Sequence, residues 1–424
     1  MEQQRRPIRV AVIGAGQMGS GLVRQITAMP GLALAGLCDL MVDRALGAAS
    51  AAGATAEPAE SLDHAHALIG EGRVAVTAAA SWLVGAPDVD VVMDATGEPE
   101  AGARLAMMAR EERKPFVTMN IETEVTVGPM LAVLAREAGT IYTVAAGDEP
   151  SVLTELVDFA RLLNLEIVCA GKGKNNRLDP FATPSTVAAE ARSRGMSARM
   201  LSAFVDGTKT MAEMAALANA TGLRIDRTGM HGPHADLADL LSVFIPRSDG
   251  GILSRRGVVD YAVGDVAPGV FLIVAAGSDA VRRDVAYLKL GDGPYHLLSR
   301  PFHLASLEAP LSVARAVLYG EVTMAAAGPP VAECVAVAKR DLGPGDVLDG
   351  IGGATVFGQA MDASEARGAR AVPIGLVHAA RIRRSVARGT RLTADDLTLD
   401  ESQTIVALRK RQDAWAAQHA VPAG

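Results

Sequence analysis

After a short charged stretch, an apolar run, IRVAVI at residues 8–13, leads at once into GAGQMGSG and then into GLVRQITAM, a segment of helical periodicity. Strand, glycine turn and helix in that order constrain the fold of this chain more than any other feature. Gly14, Gly16 and Gly19 stand in the turn with the spacing Gly-x-Gly-x-x-Gly. The first glycine permits the tight turn, the second lets backbone amides approach a pyrophosphate, and the third lets helix and strand pack closely. The helix start, at Gln17 and Met18, adds positive potential. Asp39 closes the next strand-like run, LALAGLCD, where a carboxylate accepts from ribose hydroxyls. Arg44 is close enough in sequence to receive a 2′-phosphate, so the spacing leaves NAD and NADP both open. Dinucleotide binding is the expectation, and a purely structural glycine turn is the alternative.

The alternation continues through an Ala-rich helix, VAVT at 74–77, a short helix near Trp82, DVVMDATG at 90–97, PFVTMN at 115–120 and TIYTVAAG at 140–147. This predicts an α/β chain whose residues 1–150 form a six-stranded, doubly wound Rossmann domain. From Asp148 the texture changes. A helix (SVLTELVDFARLLN), a strand (EIVCAGKGK), a long helix (TKTMAEMAALANA) and later strand-like runs (GVFLIVAA, YHLLSRPFHLA) predict a second, α+β domain over 151–328. Over 329–424, AKRDLGPGDVLD (338–349) matches IRRSVARGTRLT (382–393) at an offset of 44. Two copies suit a small β-rich module with internal pseudo-symmetry. A closing helix, SQTIVALRKRQDAWAAQ, carries a basic stripe that reads as a solvated face.

The chain has 424 residues and a formal charge of −7, which favours neither nucleic acid nor an anionic membrane as partner. No apolar run nears the roughly 20 residues that span a bilayer. Three separated cysteines in apolar contexts and the lack of a secretory h-region point to a reducing cytoplasm. Small-molecule chemistry is the class that remains. Of the 41 basic residues only seven are lysines, and Lys172, Lys174 and Lys209 lie close together in sequence. Lysine, unlike arginine, can give up its proton. The other four, Lys114, Lys289, Lys339 and Lys410, read as surface cations.

Lys172 and Lys174, two apart on a strand, share a face and with Asn175 and Asn176 offer a cradle for a phosphate or carboxylate. An exposed edge strand guarded by basic residues would have the same pattern. Lys209 and Glu213, at i and i+4 after Asp206 and a glycine, suit an active site or a plain helix ion pair. The adjacent carboxylates Asp148 and Glu149 suit a helix cap, a substrate contact or a metal. Thr96, Gly97 and Asn120 follow strand ends where a nicotinamide riboside would lie. His231, in MHGPH, suits a proton donor or substrate contact better than zinc, and Arg300 suits anion binding or packing.

In order, GAGQMG, DATGEPE, GDEPS, AGKGKNN, DGTKTMAEMA, NATGL and GMHGP resemble the homoserine-dehydrogenase-like oxidoreductases, and more closely the 1-deoxy-D-xylulose-5-phosphate reductoisomerase-like proteins. The terminal repeat resembles a SAF (antifreeze-like) domain. The resemblance implies an NAD- or NADP-dependent oxidoreductase with a Rossmann domain, a catalytic and dimerisation domain and a SAF-like appendage, assembled as a homodimer or higher homo-oligomer. Its substrate would be a small phosphorylated or acidic hydroxy-carbonyl compound, isomerised and then reduced, with Mg or Mn held by Asp148, Glu149 or Glu213. Lys172, Lys209 and Glu213 would serve the reacting oxygen, with Lys174 and Asn175 on the anion. The rival readings are a homoserine-type or sugar-alcohol dehydrogenase and a non-catalytic protein that senses nicotinamide or binds carbohydrate.

Overall fold

A computed structural model describes residues 6–419. The chain is α/β, with a parallel Rossmann-like sheet at the N-terminus, a mixed α+β second part and small C-terminal β sheets. It divides into two compact units. The first comprises residues up to Ser151 with Leu304–Ala325 and Leu408–Gln412; the second comprises Val152–His303, Ala326–Ala407 and residues from Asp413.

In the first unit, β1 (Ile8–Ile13), β2 (Leu32–Cys38), β3 (Ala56–Pro58), β4 (Val74–Thr77), β5 (Val91–Asp94), β6 (Phe116–Thr118) and β7 (Tyr142–Val144) lie in the order β3-β4-β2-β1-β5-β6-β7. The sheet therefore has seven strands, where the sequence suggests six. The additional one, β3, is a three-residue edge strand ending in Pro58, too short and too polar to stand out as an apolar run. Apolar side chains on both faces of β1, β2 and β5 explain why these strands read as continuous hydrophobic segments. The strand order reverses at β1, between β2 and β5, and such switch points are where open α/β sheets bind ligands.

Two later segments return to this unit. Helix Ala305–Tyr319 buries Ala309 and Val313 in the first unit's core, and Ser312 Oγ accepts from Ala146 N at 2.8 Å. The closing helix, Thr404–His419, keeps Lys410 and Arg411 of its basic stripe exposed and buries another face. Its Gln412 is fully buried against helix Ile121–Glu137, beside Pro129, which has no N–H to give. Met130 N donates to Gln412 Oε1 at 3.1 Å, and Gln412 Nε2 donates to Thr126 O at 3.2 Å. The carboxamide thus completes the ladder where the proline interrupts it.

The second unit holds β8 (Leu165–Lys174), β9 (Arg224–Ile225), β10 (Val258–Val263), β11 (Val270–Ala276) and β12 (Tyr295–Arg300), ordered β12-β11-β8-β10-β9. β8 is central, parallel to β10 and antiparallel to β11. Helix Thr208–Thr221 is buried along nearly its whole circumference, as its run of Ala, Met and Leu requires. Left-handed glycines bound it: Gly207 at φ +88° and Gly222 at φ +75°.

The same unit contains β13 (Ala332–Ala338) paired with β14 (Val356–Asp362), and β15 (Arg381–Ile382) paired with β16 (Leu397–Thr398). The repeat is visible in the backbone bonding. Leu342 and Val386, equivalent at the offset of 44, exchange both backbone hydrogen bonds at 2.8 and 2.9 Å. Gly345 N donates to Ile382 O and the equivalent Gly389 N donates to Ala338 O, both at 2.8 Å. Equivalent residues bonding across one axis make a pseudo-two-fold module, as the sequence repeat suggests.

Candidate active site

Backbone geometry shapes the glycine loop. Gly14 has φ +102°, and a Cβ there would lie 2.7 Å from Ala95 O; a Cβ on Gly19 would lie 1.8 Å from Gly14 O. Both positions exclude any larger residue. A Cβ on Gly16 would meet nothing within 4 Å, so this residue faces open space at the start of helix Gln17–Ala28. That helix has no side-chain cap and no acidic residue in its first turn, leaving its leading amides to an anion. Gln17 and Met18 are exposed beside it. An exposed backbone cradle at a bare helix start fits the pyrophosphate of a dinucleotide.

Asp39 braces the loop: Oδ2 accepts from Ala15 N and Oδ1 from Met41 N, both at 2.9 Å. Each oxygen has a second lone pair for a ribose hydroxyl. Arg44 Nη1 lies 3.7 Å from Asp39 Oδ1, so a cation stands ready beside the same place. The structure therefore keeps both NAD and NADP as candidates.

At the end of β5, Asp94 is fully buried. Its Oδ1 accepts from Thr96 N at 2.9 Å and Thr96 Oγ1 at 2.7 Å, and Oδ2 accepts from Thr118 Oγ1 at 3.1 Å. Burial raises its pKa, and those hydrogen bonds oppose the rise. Asn120 is fully buried as well: Oδ1 caps the following helix at Thr123 N, and Nδ2 donates to Glu98 O at 2.9 Å. Thr96 and Asn120 thus hold the loop together internally, and exposed Gly97 is the part of it that faces outward.

In the second unit Lys172 and Lys174 occupy the carboxyl end of β8, both buried. A central strand replaces the guarded edge that their spacing also allowed. Lys172 Nζ donates to Glu213 Oε2, on the helix that covers this face, in a short buried ion pair. Lys174 Nζ donates to Phe204 O at 2.6 Å. Burial, and then the neighbouring Lys172 charge, bring the Lys174 pKa down to about 8. Tyr261 sits beside Lys172 in the parallel register with β10; burial and then Asp260 push its phenol up to about 12, so it keeps its proton. Lys209 is half-buried one helical turn before Glu213. Asn175 is exposed, and its Oδ1 accepts from Asn176 Nδ2 at 2.9 Å.

Asp206 is paired inside the core. Its carboxylate meets Lys339 Nζ at 2.8 Å, and Thr208 N donates to its Oδ1 at 2.8 Å. Burial raises the Asp206 pKa, and Lys339 works against it. Lys339 also donates to Ala182 O at 2.6 Å and Gly353 O at 2.7 Å, which uses its three donors. It is 4% exposed, not the surface cation its charged neighbours suggest. Lys114 is half-buried too, donating to Val84 O and Ala86 O at 2.6 and 2.5 Å. Lys289 and Lys410 are exposed.

His231 is held through one ring nitrogen. Nδ1 lies 2.7 Å from Asp260 Oδ2 and Nε2 lies 3.4 Å from Asp226 Oδ2. Asp260 also accepts from the backbone N–H of His231 and Gly232. The Nδ1 contact ties the His231 loop to β10, while Nε2 is buried and makes no hydrogen bond. Arg300 lies with its guanidinium 4.7 Å from the Phe302 ring centroid. Asp148 precedes helix Glu149–Leu162 and Glu149 opens it, both half-buried in the first unit, whereas Glu213 belongs to the second.

Sequence reading overlooks Asp260, Asp226 and Tyr261, and takes Lys339 for a surface cation. Asp260 left a signal, being a carboxylate inside the apolar run VVDYAV, where a buried charge requires partners.

Residues 147–309 match the family model described as oxidoreductase DRL, catalytic domain. That stretch contains Lys172, Lys174, Glu213 and the His231 loop. No curated protein matches the chain. Among solved structures, a probable dehydrogenase from Thermotoga maritima is similar at 11% identity and TM-score 0.45, over 74% of this chain and 90% of that one. A myo-inositol dehydrogenase from Corynebacterium glutamicum is similar at 12% identity and TM-score 0.42, over 74% and 90%. A myo-inositol dehydrogenase from Lactobacillus casei, solved with NAD(H) and myo-inositol, is similar at 15% identity and TM-score 0.37, over 64% and 72%. Among the described residues no helix is long and apolar enough to cross a membrane.

Proposed function

We propose that the protein is an NAD(P)-dependent oxidoreductase that interconverts a carbonyl and an alcohol on a small phosphorylated or acidic compound. The observation that carries this reading is the buried Lys172–Glu213 pair at the carboxyl end of β8, with Lys174 two residues further on the same face. The match of residues 147–309 to an oxidoreductase catalytic domain supports the reaction class.

Gly14, Gly16 and Gly19 would hold the pyrophosphate, and Asp39 with Arg44 the adenosine ribose. The bound nicotinamide supplies or accepts a hydride. Everything else belongs to the side chains. In reduction the carbonyl oxygen gains negative charge; Lys172 Nζ stabilises it and delivers a proton, and in oxidation the proton returns. Glu213 neutralises the ammonium inside the core and fixes its direction. Tyr261, protonated beside Lys172, is a second donor to the same oxygen. Lys174, in its charged form, receives the substrate's anionic group.

A rearrangement before reduction, as in the reductoisomerase-like proteins, would use the same ammonium on a phosphorylated hydroxy-ketone. The test follows NADH and NADPH oxidation across phosphorylated ketoses and aspartate semialdehyde, with and without Mg or Mn. Turnover of a phosphorylated ketose is the expected result. Turnover of aspartate semialdehyde alone would replace the phosphorylated substrate by an amino-acid semialdehyde, and cofactor binding without turnover of any carbonyl compound would leave a sensor.

A further inference from the structure

The sheet of the second unit has a polar site at its other end. β8, β9 and β10 run parallel, so their amino ends share one edge, roughly 23 Å along β8 from Lys172 at about 3.3 Å per residue. At that edge a cleft of about 410 Å³ is lined by Arg161, Arg224, Arg255 and Arg256, with Glu166 the one carboxylate among its lining residues. That volume lies in the range of small-ligand sites.

The partners of these arginines leave the cleft positive. Arg256 consumes the carboxylate: Nη1 lies 2.5 Å from Glu166 Oε2, while Nη2 donates to Tyr295 Oη at 3.0 Å. Arg161 Nη2 donates to a neutral carbonyl, Thr221 O, at 2.7 Å, at the end of helix Thr208–Thr221. Arg224 reaches Asp362, outside the lining, at 3.4 Å. Arg255 makes no hydrogen bond or ion pair with any described residue. Three guanidiniums are thus anchored around the opening and a fourth is uncommitted. Several planar forks converging on one space match the oxygens of a phosphoryl or carboxylate group, which they engage two at a time.

We propose that this cleft is a second anion site that binds a small polyanion bearing phosphoryl or clustered carboxylate groups, separate from the lysine end of the sheet. It would let an anionic metabolite bind the second unit without occupying the proposed substrate position.

The test is calorimetric titration of the full chain with pyrophosphate and, in a parallel arm, with citrate; the stronger arm identifies which chemistry the cleft prefers. Wild-type protein is expected to bind at least one of them, and Arg255→Glu to weaken that binding by roughly tenfold or more. Arg255 is exposed, so its replacement is expected to preserve the fold; an unchanged circular dichroism melt checks this. Failure of both anions to bind overturns the proposal. So does binding that survives Arg255→Glu at full strength, which would place the anion elsewhere, at the lysine end of β8 or in the glycine loop.

Discussion

Two buried lysine–carboxylate pairs flank helix Thr208–Thr221, and they differ in what surrounds the ammonium. Lys339 meets Asp206, just before the helix, and spends its remaining donors on Ala182 O and Gly353 O from two other segments. An ammonium with every donor committed is a fastener. It ties the start of the helix to the pseudo-symmetric C-terminal module, as does Thr208 Oγ1, which accepts from Gly358 N at 2.8 Å. Lys172 meets Glu213, within the helix, from a strand end that also carries Lys174 and Tyr261. Burial, and then the charge of Lys172 beside it, reduce the pKa of Lys174 to about 8. The same residue types serve shape in one place and, in the proposed reaction, proton transfer in the other.

Three perturbations separate these roles, in decreasing order of effect. Lys339→Met leaves Asp206 buried without its counter-charge, and urea denaturation should show a loss of about 3–5 kcal/mol. Combining it with Asp206→Asn should restore part of that loss, whereas a loss no greater than a surface substitution would show that the pair is not a fastener. Next comes pH. The Lys174 pKa falls from 10.5 to about 8, so between those values only the unfolded chain keeps this proton, and the residue makes stability rise with pH across that window. Its effect on activity has the opposite sign. Once the ammonium is neutral, kcat/KM for an anionic substrate should fall above pH 8 by up to about tenfold per pH unit. Lys174→Arg, which stays charged, should flatten the profile. The smallest effect belongs to Gly16→Ala. The new methyl meets no protein atom, so the thermal midpoint should stay fixed while fluorescence titration shows cofactor affinity several-fold weaker.

The contrast between the two pairs also marks what was legible in the sequence. The glycine loop announces itself because local backbone geometry admits nothing larger at Gly14 and Gly19. The repeat was legible for a similar reason: its copies meet residue against residue, so each turn position recurs at the offset of 44. Lys172 and Lys174 stood out by scarcity and spacing, although their spacing alone did not distinguish a buried central strand from an edge. Lys339 was hidden because AKRD, a lysine among charged neighbours, looks solvated. Its partners come from residues 182, 206 and 353, and no local pattern brings those together. His231 was visible as a histidine in a rigid loop, but the partner of its Nδ1, Asp260, lies 29 residues away. Chemistry written in one segment was readable, and chemistry assembled from several was not.

The central claim is that Lys172 moves a proton, and Lys172→Arg tests it directly, because arginine keeps the charge facing Glu213 but does not release a proton near neutral pH. The rate of NAD(P)H oxidation on whichever carbonyl substrate the wild-type protein reduces should fall roughly 10²–10⁴-fold, while cofactor affinity is unchanged. A variant that reduces the same substrate at close to the wild-type rate would contradict the account.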